Sequence, residues 1–136
     1  MNSGGWENCA MRKSNMATYL SQLTSAWQNA IKQVNKLSSA GSQSTTIKTT
    51  ADKLFLLSEV EIFGSTSYSV SGEGTQYAYY KAGNSKVKNV SGSAYGWWER
   101  SPSASNTTIF CFVYSNGNAN YGGASSSYGV AFGFCV

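Results

Sequence analysis

The sequence predicts an α+β fold, with helices confined to the first third of the chain and small antiparallel sheets filling the rest. Apolar residues recur at helical spacing between Met16 and Val34. Beyond Ser44, short β-branched and aromatic runs alternate with clusters of Gly, Ser and Asn, the punctuation of strands and turns. When helices and strands are segregated in this way, the helices pack against the sheets rather than alternating with strands. At 136 residues the chain fits a single domain, 1–136, large enough to bury roughly two-thirds of its unfolded surface.

Taken in order, Met16, Tyr19, Leu20 and Leu23 form one apolar stripe, and Trp27, Ala30, Ile31 and Val34 continue it. They make two short amphipathic helices or one long one. Ser25 followed by Gln28 has the form of a capping box, which favours a break near Thr24. Ser38–Ser44 is a Ser/Gly loop. Thr45–Thr50 and Lys53–Leu57 are expected strands with a turn at Thr49–Asp52, and Glu59 and Glu61 alternate with Val60 and Ile62 along one strand face. Phe63–Gly74 and Gly83–Gly96 are long excursions of little periodicity.

Ile109–Tyr114 is apolar on both faces, as a central strand is, and Asn116-Gly117 marks the hairpin turn that follows, since this pair accepts positive φ. Val130, Phe132, Phe134 and Val136 share one face of a final strand, which is expected to be buried and intolerant of truncation. On a strand, the adjacent Trp97 and Trp98 face opposite ways. At least one then belongs to the core.

Charged residues make up only 12% of the chain, about half the usual share, so the surface is finished by neutral polar groups, a pattern that fits extracellular or particle-surface proteins. The net charge is +4, but the basic residues are scattered. Even Lys81, Lys86 and Lys88, beside Tyr77, Tyr79 and Tyr80, accompany no nucleic-acid motif, so no nucleic-acid partner is expected. No apolar run approaches the roughly 18 residues of a membrane helix, and no signal peptide is recognisable. Membrane insertion is therefore not expected, and display outside a cell implies assembly into a phage particle or membership of a longer secreted protein.

The chain contains no histidine, which excludes His-ligated zinc and Ser-His-Asp or Cys-His catalysis. Glu59 and Glu61 are the one imaginable acid–base pair; a solvated face, or an ion pair with a lysine or Arg100, is the plainer expectation. Glu73, between Gly72 and Gly74, is a lone carboxylate where calcium needs several oxygens. Neither metal nor cofactor is expected. Of the three cysteines, Cys111 and Cys135 lie in neighbouring strand-like segments, where a bridge and buried thiols are both open, and Cys9 stands alone.

What remains is Asn106–Tyr128, built from Asn, Ser, Thr, Gly and Tyr around one apolar strand. Tyr supplies rigid amphipathic contact area, while Ser, Gly and Asn supply adaptable hydrogen bonds. The expected contact residues are Tyr114, Asn118, Asn120, Tyr121, Ser125, Ser127 and Tyr128, with Ser103 and Asn106 on the adjoining loop. The expectation is a non-catalytic ligand-binding module. The alternative is a structural or assembly domain whose tyrosine-rich end packs on another subunit.

Several stretches resemble a domain family of unassigned function found in gut Firmicutes and their prophages: Gly4–Glu7 with Met11-Arg12, Asp52–Gly64, Gly72–Tyr77, Gly96–Pro102 and Gly129–Val136. The tryptophan pair followed by Arg-Ser-Pro and the closing Phe-Cys-Val are the most specific pieces. The resemblance implies a C-type-lectin-like fold, with two short helices on small twisted antiparallel sheets and long ligand-bearing loops. It further implies phage tail or receptor-binding proteins, including the variable proteins of diversity-generating retroelements. Such a protein resides on a virion or bacterial surface, alone, as a homo-oligomer or among tail-fibre subunits, and meets a protein or glycan receptor. The ending Ala131-Phe132-Gly133 lacks the Arg-Pro of related lectin-like endings, and the chain has no Glu-Pro-Asn or Gln-Pro-Asp. Calcium-dependent sugar binding is not expected.

Overall fold

A computed structural model describes residues 1–136. Five short α-helices, α1 (Gly5–Asn8), α2 (Met16–Gln22), α3 (Ser25–Ala30), α4 (Glu59–Phe63) and α5 (Ala78–Lys81), accompany nine strands in four small antiparallel sheets. A π-helical turn, Met11–Asn15, leads into α2. The strands are β1 (Val34–Ser39), β2 (Ile47–Asp52), β3 (Phe55–Leu56), β4 (Lys88–Val90), β5 (Ser93–Tyr95), β6 (Trp97–Pro102), β7 (Ile109–Val113), β8 (Ala119–Gly123) and β9 (Phe132–Gly133). Their pairings are β1–β2, β3–β9, β4–β5 and β6–β7–β8.

The three-stranded sheet is the centre. Trp98 pairs with Phe112 and Trp97 with Val113, so the two tryptophans do take opposite faces. Both are core. On one face, Trp98 and Phe112 pack with Trp6, Met16, Ile31 and the β3 residues Phe55 and Leu56. On the other, Trp97 and Val113 pack with Ile62 of α4 and Tyr80 of α5. Helices therefore cover the central sheet from both sides, and each fully buried large side chain contributes about 1.5–3 kcal/mol.

The chain breaks at Leu23–Thr24, where the break is expected, but without the capping box that the expectation rests on. Thr24 and Ser25 supply no side-chain cap to α3; instead the Gln28 amide donates to the Leu23 carbonyl at 2.7 Å and closes the end of α2. Helical structure then stops at Ala30, and Val34 belongs to β1. All six residues of β1 pair with β2, and this long-range ladder overrides the local helical spacing. Ser38 and Ser39 are strand, not loop.

No turn interrupts Thr49–Asp52. The strand runs on because the Asp52 carboxylate accepts from Trp6 Nε1 (2.9 Å), Thr50 Oγ1 (2.6 Å) and Arg12 Nε (2.7 Å), which lets an acidic strand end be buried. The strand expected at Lys53–Leu57 shortens to Phe55–Leu56. Glu59–Phe63 is a helix rather than a strand, started by a complete capping box between Ser58 and Glu61 and stopped by Gly64 at φ 75°. Gly83–Gly96 contains the β4–β5 hairpin, turned at Ser91 and Gly92, both at positive φ.

The C-terminal end also departs from expectation. Phe132 and Gly133 pair with Leu56 and Phe55, and beyond them Cys135 makes only an isolated bridge to Lys32. Phe134, Cys135 and Val136 are exposed. Cys135 and the buried Cys111 are both free thiols, as is Cys9, so no bridge forms.

Candidate functional site

Beneath the central sheet lies a cluster of buried charge. Glu61 holds both cations of the interior: its Oε1 accepts from Lys36 Nζ and its Oε2 from Arg100 Nη1, each at 2.5 Å. Burial alone pushes the Glu61 carboxyl up, but the hydrogen bonds and charges of Arg100 and Lys36 overcome it and hold the group below its ordinary range. The Arg100 guanidinium also donates to the carbonyls of Leu37 (2.9 Å), Leu56 (2.7 Å) and Glu73 (2.9 Å). One side chain thus ties β1, β3, α4 and the loop after α4 to β6. An ion pair with lysine or Arg100 is what Glu61 makes; its companion Glu59 is neither solvated nor ion-paired.

Glu59 is fully buried and accepts from the backbone N–H groups of Ser67, Tyr68 and Ser69 and from Ser69 Oγ, at 2.7–3.2 Å. Glu73 accepts from Ser39 N (2.7 Å) and from Ser101 Oγ. Burial, offset in part by those donors and Arg100 and reinforced by Glu59, pushes its carboxyl up to about 7. Glu99 differs from the rest: both of its oxygens are buried without a hydrogen-bond partner, and burial, with Glu59 and Glu73 near, pushes its carboxyl well above the usual range despite Arg100. No group of three or more Cys, Asp or Glu side chains is gathered so as to hold a metal ion.

The expected contact residues divide between two faces. Cross-strand partners share a face, so Asn120, opposite Phe112, lies on the Trp98 side, while Tyr121, opposite Cys111, lies on the Trp97 side. Tyr114 is 47% exposed, with its ring edge against Phe112 at 6.2 Å between centroids. Tyr121 is 48% exposed and is braced edge-on by Tyr68 at 4.9 Å. Asn118 is exposed but sits in the turn before β8, not on the strand face expected to align it with Asn120. Ser125 and Ser127 are exposed on the loop after β8.

Three of the nine play other parts. Ser103 is only 3% exposed; its hydroxyl accepts from the Ser105 N–H, so it shapes the loop from within. Asn106 is exposed, yet its Oδ1 accepts from Thr108 N and Oγ1 and is spent on the turn. Tyr128 is half-buried, stacked on Phe112 at 4.0 Å and 16° with its edge toward Trp98 at 4.9 Å. It can lie that flat because Gly122 and Gly96 leave room: a Cβ on Gly122 would come within 2.9 Å of its ring.

Sequence reasoning missed two residues of this surface. Tyr95, 44% exposed, reaches the same loop with its hydroxyl 3.5 Å from the Ser127 carbonyl, and Ser91-Gly92 was the turn signal that places it on a hairpin. Tyr68 had no local signal, because its position is set by Glu59 from a distant element.

A cavity of about 810 Å³ opens beside this surface, between the N-terminal helices and the loop Gly123–Ser126. Trp6, Met11, Leu56, Trp98 and Phe110 line it together with Glu99. Of the motif stretches, Trp6, Arg12 and Asp52 meet in one hydrogen-bonded group, and Glu61, Glu73 and Arg100 meet in another. A family model described as a domain of unknown function matches residues 1–136. The chain belongs to the DUF6273 family. Neither the curated proteins nor the solved structures provide a match. In this DUF6273 chain Trp6, Arg12, Asp52, Glu61, Glu73 and Arg100 are thus internal braces, whereas Tyr114, Tyr121 and the serine loop lie outside the stretches that supply them. No helix is long and apolar enough to cross a membrane.

Proposed function

We propose that this chain is a non-catalytic ligand-binding module of the adhesin or receptor-binding kind, which contacts its partner through the tyrosine, asparagine and serine side chains of the C-terminal segment. The observation that carries this reading is the pair of half-exposed rings, Tyr114 and Tyr121, each braced from behind by another aromatic ring. A ring already fixed by its neighbours loses little entropy when it binds, and Tyr is enriched where interfaces concentrate their energy. Three of the four buried glutamates support the non-catalytic part of the reading, since Glu59, Glu61 and Glu73 spend their oxygens on internal donors while Glu99 does not.

With the resemblance, this reading extends to a C-type-lectin-like domain on a phage virion or bacterial surface, of the type diversified by retroelements, with a protein or glycan receptor as partner. Tyr114→Ala and Tyr121→Ala test it: each is expected to weaken attachment to cells by about tenfold or more while the fold is kept. Retained attachment in both variants would overturn it. Tyr128→Ala is a poor test, because it also removes packing from Phe112 and Trp98.

One observation favours the assembly alternative. Trp27 and Phe134 are 48% and 42% exposed and meet edge-on at 5.6 Å, with the exposed Val136 nearby in sequence. An apolar pair of this kind suits a subunit contact. If Trp27→Ser or Phe134→Ser dissociates an assembly and the tyrosine variants leave attachment unchanged, the assembly reading replaces the first.

A further inference from the structure

Folding sorts the charges of this chain by sign. Of its six acids, Asp52, Glu59, Glu61, Glu73 and Glu99 are buried, and Glu7 on α1 alone remains at the surface. Of its ten basic residues, Lys36 and Arg100 are buried and Arg12 is spent on Asp52. The other seven are lysines at the surface, and none has an ion-pair partner. A formal charge of +4 therefore hides an outer surface that is almost wholly cationic. Protein surfaces ordinarily mix both signs, and a field of one sign draws in partners of the other.

Three of the seven, Lys81, Lys86 and Lys88, fall on one arm. Every residue from Lys81 to Tyr95 except Lys86 is exposed, and the arm is held at its root, where Trp97 Nε1 donates to the Lys86 carbonyl at 2.9 Å. Two of the lysines stand beside an exposed tyrosine. Lys88 pairs directly with Tyr95 across the β4–β5 hairpin, so the two side chains share one face. Lys86 Nζ lies 6.0 Å from the centre of the Tyr80 ring, which braces the exposed Tyr79 edge-on at 5.1 Å. The ammonium groups of Lys86 and Lys88 rest over ring faces, of Phe63 at 5.4 Å and of Trp97 at 5.9 Å, and meet no carboxylate. The arm also adjoins the tyrosine surface. Tyr95 Oη lies 3.5 Å from the Ser127 carbonyl, and a Cβ on Gly117, in the turn after Tyr114, would come within 3.4 Å of Val87.

This coupling of charge with ring selects the partner. A lysine beside an exposed tyrosine matches a unit that carries its apolar face and its anionic group on one ring, as a uronic acid does. The C–H face of such a sugar packs on the negative face of an aromatic ring, and its carboxylate meets the ammonium. In a nucleic acid the charge sits on the backbone, apart from the base, and arginine, whose planar fork suits phosphate best, is absent from the arm. We propose that the receptor of this module is an acidic polysaccharide, a chain of carboxylate-bearing sugars laid along the arm, with Lys81, Lys86 and Lys88 as counter-ions and Tyr79 and Tyr95 as platforms. This rests on the receptor-binding reading above and names the chemistry of the receptor.

The test is binding of polygalacturonate to the whole chain, with its methyl ester as the uncharged match and with polyglutamate and oligodeoxythymidylate as polyanions that lack uronate rings. The expected result is saturable binding of polygalacturonate, about tenfold or more tighter than any of the other three, and weakened by added salt, which screens surface charge. Lys86→Gln combined with Lys88→Gln is expected to weaken it by about tenfold or more, as is Tyr95→Ala. Lys13→Gln combined with Lys48→Gln removes the same charge from elsewhere on the surface and is expected to change it by about twofold or less. Should a variant not fold, the selectivity of the parent among the four polymers still decides. The proposal is overturned by no saturable binding of polygalacturonate, by equal or tighter binding of any of the other three polymers, or by equal losses in the two lysine pairs. If polygalacturonate fails to bind while Tyr114→Ala and Tyr121→Ala lose attachment to cells, the acidic glycan falls and the receptor-binding reading stands; if it fails to bind and both variants keep attachment, the two fall together.

Discussion

At the scale of single residues, the close contact between Tyr128 and the sheet depends on what is missing from Gly122. A Cβ there would meet Tyr128 Cε2 at 2.9 Å and Phe112 Cε1 at 3.3 Å, with the ring trapped between Phe112 and Trp98. Gly122→Ala must push Tyr128 off its stack. The expected cost is about 1–3 kcal/mol, as for other overpacked sites, measured as a lower urea midpoint. Gly123→Ala is the control: its nearest neighbour would be Ser126 Oγ at 3.5 Å, ordinary contact, so its midpoint should barely move. Equal losses in both would show that strand propensity, and not the Tyr128 contact, sets the cost.

At the scale of elements, Arg100 is the joint. Its guanidinium reaches the carbonyls of Leu37, Leu56 and Glu73 as well as the Glu61 carboxylate, and it is fully buried. Arg100→Met fills much of the same space but takes a donor from the Leu37, Leu56 and Glu73 carbonyls, of which Glu73 keeps Ser58 Oγ, and leaves Glu61 with Lys36 alone among the cations. A loss of about 3–5 kcal/mol is expected, the usual result of breaking a buried pair from one side; a variant of parental stability would contradict that accounting. The same joint explains what the sequence could and could not disclose. Strong local signals were legible: the break before α3, the apolar β7, the Asn116-Gly117 turn and the opposed tryptophans all follow from neighbours in the chain. Elements defined by partners far away were not. Val34 follows a helical stripe until β2 pairs with it, and Val130–Val136 alternates like a buried strand although β3 pairs with only two of its residues. The start of α4 was legible after all, since Ser58-x-x-Glu61 has the capping-box form, but alternation of Glu59 and Glu61 with Val60 and Ile62 masked it. Of the surface, Tyr114, Tyr121 and the serine loop were legible as composition. Burial of Ser103 and Tyr128, and the bracing of Tyr68 by Glu59, depend on tertiary contacts that composition does not carry.

At the scale of the whole molecule, the buried acids make stability depend on pH in a direction opposite to that of most proteins. Glu73 titrates near about 7 in the folded state, against an ordinary 4.5. Between those values the folded chain holds a proton that the unfolded chain has released, so the unfolded state binds fewer protons and stability falls as pH rises. The contribution is present in full below the ordinary value, is lost through the window up to about 7, and amounts to about 3 kcal/mol. Glu99, raised well above its ordinary value by burial and by Glu59 and Glu73, acts with the same sign from that ordinary value upward. Glu61 acts the other way: held low by Arg100 and Lys36 against its burial, it stabilises the fold above its ordinary range and withdraws that support only in acid. From about pH 5 to pH 8, then, the raised acids dominate, and the urea midpoint should fall steadily across the range. Glu73→Gln removes one titrating proton while keeping the shape that accepts from Ser39, and its midpoint should fall less steeply. A parental midpoint that rises from acid to neutral pH would mean that the four glutamates do not share one dry interior. If the parent falls and Glu73→Gln falls just as steeply, Glu99 alone carries the effect, and the one buried acid without a hydrogen-bond partner becomes the group that sets the stability of the whole domain.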